Sequence, residues 1–296
     1  MEWIDQIGSA ARAIFASGLV LSSLYVLIAA GLAIVWNTLG IFNFAHGAIM
    51  VIGAYVAWTV SDPAALGWGL LPGIVIAVAT SAILGLVINR LLIVPFLTQP
   101  NLVLITVMTT LSGAFFLENS ALLIWGPRIK QLEKVVSGNV SVGGTAISGH
   151  EATIIVLAPL LMLGLWAFLR FTWVGSAVRA VAQNREFAEL SGIRTRAMYA
   201  VAFAIAAGLA GFAGVMLGAI RFITPGLGGE PLIKAMIVVI LGGLGSIPGT
   251  IIGSYLVGFG EAASTYFLGA YWTQAALFLV FIIILVIRPN GIMGRK

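Results

Sequence analysis

The chain contains no cysteine, which excludes disulfides, thiolate metal sites and a cysteine nucleophile. Charge is almost as scarce: 8% of the 296 residues are charged, where a soluble domain carries about a quarter. None of the lysines (Lys130, Lys134, Lys234, Lys296) follows a glycine. The phosphate loop of an ATPase, which ends in Gly-Lys-Ser/Thr, is therefore absent. His46 and His150 are too far apart to form a zinc-helix motif. Acids inside apolar stretches reduce to Glu118 and Glu261, fewer than an ion-driven carrier usually keeps. Neither an enzyme nor a cofactor or metal site is expected.

What is abundant is hydrocarbon. Hydrophobic residues make up 60% of the chain, and the mean hydropathy is +1.11. A soluble core cannot hide such a surplus, so the natural solvent is a bilayer, which a helix crosses with roughly 20 apolar residues. Hydropathy and breakers place spans near 14–36, 41–60, 69–89, 101–124, 152–170, 198–220, 232–246, 250–268 and 272–288. The expected fold is an all-α polytopic integral membrane protein of about eight or nine transmembrane helices, forming one domain over 1–296. The stretches at 41–60 and 232–246 are short or interrupted by glycine, as broken helices are. The opening MEWIDQIGSAARAIF is acidic and precedes a long apolar run, unlike a cleaved signal.

Two hydrophilic stretches stand out. Residues 126–151 alternate small and β-branched side chains, which suggests a hairpin, and 171–197 are helical in pattern and rich in arginine. If 171–197 is cytoplasmic and nine spans alternate, the inside collects Arg90, Arg170, Arg179, Arg185, Arg194, Arg196, Arg288, Arg295 and Lys296. That bias favours a cytoplasmic C-terminus. IGAYVA at 52–57 resembles IGSYLV at 252–257, a hint of an internal repeat such as transporters are built from.

Several residues carry functional expectations, each beside a structural one. Asn43 and His46, three apart, share a face if their stretch is helical. They either hydrogen-bond neighbouring helices or, with Gly47, line a translocation path. Gly208, Gly211, Gly214 and Gly218 form a helix-packing face. Gly242, Gly243, Gly245 and Gly249 with Pro248 mark a turn that either serves folding or constricts a pore. Arg221, Glu230 and Lys234 are expected to be mostly solvated, with docking of a binding protein as the alternative. Glu118 and Glu261 are expected to be hydrogen-bonded buried acids, with ion sites as the alternative.

Within RAVAQNREFAELSGIRTRA at 179–197, Glu186, Ala188 and Gly192 have the spacing of the loop by which ABC importer permeases grip their ATPases. A short charged helix can sit in a groove of a soluble partner, and Gly192 offers a helix stop. With NFAHG at 43–47, IGAYVAW at 52–58, LGGLGSIPGTIIGSYLVG at 241–258 and RPNGIMGR at 288–295, the whole chain resembles the H-type permeases of high-affinity branched-chain amino acid ABC importers. Phe187 departs from the first alanine of the general loop pattern. The resemblance implies a multi-pass protein of the cell (inner) membrane, forming the path for hydrophobic amino acids. It implies a second, M-type permease, two cytoplasmic ATPase subunits and an extracytoplasmic substrate-binding protein. The coupling residues it points to are Arg179, Gln183, Arg185, Glu186, Ala188, Glu189 and Gly192; the path residues are Asn43, His46, Gly47, Gly243 and Gly245. The alternatives are a permease for a sugar, urea or an amide, a secondary carrier, or a passive channel.

Overall fold

The computed structural model describes residues 2–142, 144–288 and 290–294. Pro289, Arg295 and Lys296, which entered the terminal motif and the count of basic residues, lie outside the described residues, as do Met1 and Gly143.

The longest helix, α1 (Glu2–Leu39), spans 38 residues, about 57 Å at 1.5 Å per residue. Gly40, at φ +67°, ends it, with its N–H bonded to the Trp36 carbonyl at 2.7 Å. The chain then turns back before α2 (His46–Ser61), whose residues are nearly all buried. Next come α3 (Leu70–Ile88), a π-helical turn at Asn89–Ile93, and α4 (Leu102–Trp125). The antiparallel hairpin β1 (Asn139–Val142) and β2 (Thr145–Ser148) pairs Asn139 with Ser148 and Val142 with Thr145. It leads into α5 (Gly149–Phe171), opened by a capping box between Ser148 and Glu151. The arginine-rich stretch forms two helices, α6 (Trp173–Gln183) and α7 (Arg185–Leu190). They are followed by α8 (Thr195–Gly218), α9 (Gly229–Gly242), α10 (Ile247–Leu268) and α11 (Ala270–Ile287).

Among the described residues seven helical segments are long and apolar enough to cross a membrane, with α2 a shorter apolar helix beside them. The most apolar window of α1 is 89% buried and that of α8 67%, against 17% for α4 and 11% for α11. So α1 and α8 form the centre, and α4 and α11 face outward, as lipid-facing helices do. The glycine face of α8 is a packing face as expected: a Cβ on Gly214 would strike the Met50 carbonyl, and one on Gly211 the Ser81 hydroxyl.

The packing repeats itself. α1 packs chiefly on α10 as α8 packs on α3; α2 lies against α3 and α8 as α9 lies against α10 and α1. Helices α1–α4 thus correspond to α8–α11. α8 and α3 start at opposite ends from their counterparts α1 and α10, so the repeat is inverted. The repeat hinted at by IGAYVA and IGSYLV needs correction, because those segments lie in α2 and α10, which are not counterparts. The equivalent pair is LPGIVI at 71–76 and IPGTII at 247–252, which open α3 and α10. Gly73 abuts the Ala57 carbonyl of α2, and Gly249 abuts Gly242 of α9.

Candidate translocation and coupling sites

The two short helices meet at the middle of the bundle. A Cβ on Gly47 would lie 2.5 Å from the Gly228 carbonyl, and one on Gly228 would strike Gly47 in return. Only glycine at both positions permits this backbone approach. Just before α2, Asn43 is not helical, so it does not share a helix face with His46. Its Oδ1 accepts the Ala45 N–H at 3.1 Å and orders the turn. His46, fully buried, donates Nε2–H to the Ile28 carbonyl at 3.1 Å, while its Nδ1 has no partner among the described residues.

Gly243 and Gly245 sit elsewhere, at the end of α9, with φ of +107° and +85°. The tail folds over them: Ile292 N–H bonds Leu241 O at 2.8 Å and Met293 N–H bonds Gly242 O at 3.0 Å. Gly245 faces Asn37 of α1, nine residues beyond Ile28 and therefore about 13 Å along the helix. It also lines a cavity of about 1280 Å³ between α1, α5, α6 and α10, with Trp166, Arg170 and Tyr255 among its walls. Of the path candidates, Gly245 alone borders that cavity, whereas Arg179 and Gln183 of the coupling set stand beside it.

The coupling set is brought together by α6 and α7. Asn184 separates the helices and caps α7 through the Phe187 N–H at 3.0 Å. Arg179 is exposed and bonds Ser176 at 3.3 Å. Arg185 pairs with Glu189 at 3.0 Å, and Glu189 also accepts from the Thr195 hydroxyl at 2.7 Å, tying α7 to the start of α8. Those bonds, first from Thr195 and then from Arg185, hold the Glu189 carboxyl below its usual value. Ala188 is buried beneath α7, and Gly192, at φ +81°, closes the helix as the sequence suggests. Glu186 is exposed and makes no ion pair among the described residues. Beside it, Phe187 is 69% and Leu190 83% exposed, two apolar knobs on the loop surface. Reading the loop by its charges passes over both, although an apolar residue where the pattern has alanine is itself a signal.

At the opposite end of the bundle lies an ion network. Lys234 is buried, not solvated, and its Nζ is 2.6 Å from both Glu230 and Glu261. Glu261 also accepts the Tyr25 hydroxyl, and Glu230 pairs with Arg221 at 3.0 Å. Each buried charge therefore has an opposite partner, as burial requires. Lone charges of opposite sign in two apolar helices were the available sign of this pairing. Glu261 is the hydrogen-bonded buried acid expected; Glu118 is half-buried and makes no hydrogen bond among the described residues. His150 bonds the Met216 carbonyl at 2.9 Å and seats α5 on α8. Among the described residues no cluster of His, Asp or Glu is suited to hold a metal.

Residues 14–287 match the family model described as branched-chain amino acid transport system / permease component. The chain is 34% identical over 291 residues to the high-affinity branched-chain amino acid transport system permease protein LivH of Escherichia coli K12, covering 94% of each. It is 33% identical, with the same coverage, to the corresponding protein BraD of Pseudomonas aeruginosa. Its fold resembles a chain of PsaBC from Streptococcus pneumoniae in complex with Fab, at a TM-score of 0.52 and 12% identity, covering 98% of this chain and 97% of that one.

Proposed function

Because the chain belongs to the branched-chain amino acid transport permease family, we propose that it forms the translocation path of an ABC importer for leucine, isoleucine and valine. The observation that carries this reading is the pairing of features at one end of the bundle. A large cavity opens beside a two-helix loop in which Arg185 and Glu189 pair internally and whose Phe187 and Leu190 are bare. A soluble ATPase can take such knobs into an apolar groove and transmit its closure through the Glu189–Thr195 tie to α8. In this reading the whole chain is a single permease domain of the cell (inner) membrane, with the α6–α7 end and the C-terminus in the cytoplasm. A second, M-type permease closes the open side of the cavity. Two ATPase subunits supply the energy, since this chain has no phosphate loop, and an extracytoplasmic binding protein delivers substrate. Asn43, His46 and Gly47 hold the midpoint where α2 and α9 meet, and Gly243 and Gly245 shape the cytoplasmic exit.

The test is reconstitution of the complex in proteoliposomes with radiolabelled leucine. Uptake should require ATP and the ATPase subunits, and Phe187→Ser with Leu190→Ser should release those subunits while the permeases stay assembled. Leucine uptake driven by an ion gradient without ATP, or ATP hydrolysis by this chain alone, would refute the reading.

A further inference from the structure

A second cavity, of about 340 Å³, lies at the hairpin end, between α1, β2 and the junction of α8 with α9. Its size is at the lower end of the roughly 300–1000 Å³ that houses small ligands. One wall is apolar, built by Leu21, Leu24 and Leu217; the other carries Arg221, Glu230 and Lys234. The charges in that wall are not equivalent. Lys234 is locked between Glu230 and Glu261, and Glu151, which also reaches the cavity, is committed to the Ser148 N–H at 2.7 Å. The Arg221–Glu230 pair is different: its side chains are 40% and 44% exposed, so it opens at little cost.

We infer that this cavity is a binding subsite for a free α-amino acid with an apolar side chain, entered by splitting the Arg221–Glu230 pair; this rests on the amino-acid permease reading above. A zwitterion can part an ion pair without leaving either member uncompensated. Its carboxylate takes Arg221 in the forked geometry guanidinium favours, and its ammonium takes Glu230. A carboxylate alone leaves Glu230 facing like charge, and an amine alone leaves Arg221 bare. Lys234, fixed by Glu261, which in turn accepts the Tyr25 hydroxyl, holds Glu230 in place while the pair is open. The aliphatic side chain then lies against Leu21, Leu24 and Leu217. The subsite stands at the end remote from the α6–α7 loop, where a delivered substrate would enter.

The experiment uses the assembled transporter in nanodiscs without the binding protein, with radiolabelled leucine competed by leucine, 4-methylpentanoate and 3-methylbutylamine. Leucine should compete at least about tenfold better than either half-charged analogue, a margin of about 1.4 kcal/mol. Arg221→Gln, and Ser17→Trp at an exposed position of the cavity wall, should each weaken leucine binding about tenfold with assembly unchanged. Equal competition by the analogues, or wild-type binding in both variants, overturns the subsite. ATP-driven leucine uptake in a complex that shows no direct leucine binding overturns the subsite and leaves the transport reading standing. Absence of leucine uptake altogether overturns both.

Discussion

Removing Lys234 tests whether the α9–α10 junction depends on charge pairing. In Lys234→Met, Glu261 is left 8% exposed with the Tyr25 hydroxyl as its remaining partner. At 2.6 Å and an effective dielectric of about 20, the lost attraction is at most about 6 kcal/mol. Breaking a buried pair from one side costs a similar ~3–5 kcal/mol. Glu261→Leu should cost less, about 2 kcal/mol, because Lys234 keeps Glu230 at 2.6 Å. The double variant should recover part of the loss and come within about 2 kcal/mol of wild type, the remainder being the cost of a buried hydroxyl without an acceptor. It strands Glu230, which is 44% exposed and still paired with Arg221, and the buried Tyr25 hydroxyl, which loses its acceptor. Unfolding of the purified chain by SDS in mixed micelles measures all four proteins on one scale. The reasoning fails if Lys234→Met loses less than about 1 kcal/mol, or if the double variant is no more stable than Lys234→Met.

Gly192→Val isolates backbone strain. A Cβ there meets nothing within 4 Å, but φ is +81°, so the cost should be ~1–2 kcal/mol, confined to the loop; the chain should insert normally, and ATPase retention or coupling should fall. Wild-type coupled uptake would count against the loop as the docking site. On α8, Gly214→Ala should destabilise by ~1–3 kcal/mol through collision with the Met50 carbonyl. Gly208→Ala, whose nearest neighbour is Val78 at 3.6 Å, should stay within about 0.5 kcal/mol; equal thermal stability of the two would refute the packing assignment. Glu189 predicts a pH response of definite sign. Its lowered value stabilises the α7–α8 tie above the ordinary carboxylate range and loses it only as pH falls through that lowered value. Amide protection over 185–195 should therefore be flat through neutrality and fall only below the ordinary carboxylate range; a loss near neutrality would contradict the assignment.

The helices were legible because a span has a one-dimensional signature. The apolar stretches expected at 101–124 and 272–288 appear as α4 and α11, each shifted by no more than about two residues. The Gly192 stop was legible for a similar reason, since a helix end is a local event. Lys234 was not. Four residues from Glu230 and beside a break, it reads as a solvated rim charge. Its burial depends on Glu261, 27 residues on, and on Tyr25, 236 residues from Glu261. No window of sequence contains that network. Glu118 failed in the other direction: an acid in an apolar helix implies a partner, but α4 turns outward and nothing within the described chain reaches it.

The inverted repeat shows why similarity of segments and equivalence of position come apart. IGAYVA and IGSYLV resemble each other because both helices need a small residue where another backbone crosses. Gly53 meets Gly211 of α8, and Gly253 meets Val238 and Gly242 of α9. That demand is set by close packing and recurs wherever two apolar helices approach closely. LPGIVI and IPGTII are alike for a positional reason. In each, proline occupies the first turn, where its missing N–H is not needed, and the following glycine lets the helix start against a short central helix. The second constraint requires a short helix ending at the same place, so it can be satisfied only once per half. The two central helices that create it, α2 and α9, share little sequence. What they share is being too short, and it was their shortness that made them the least secure spans to read.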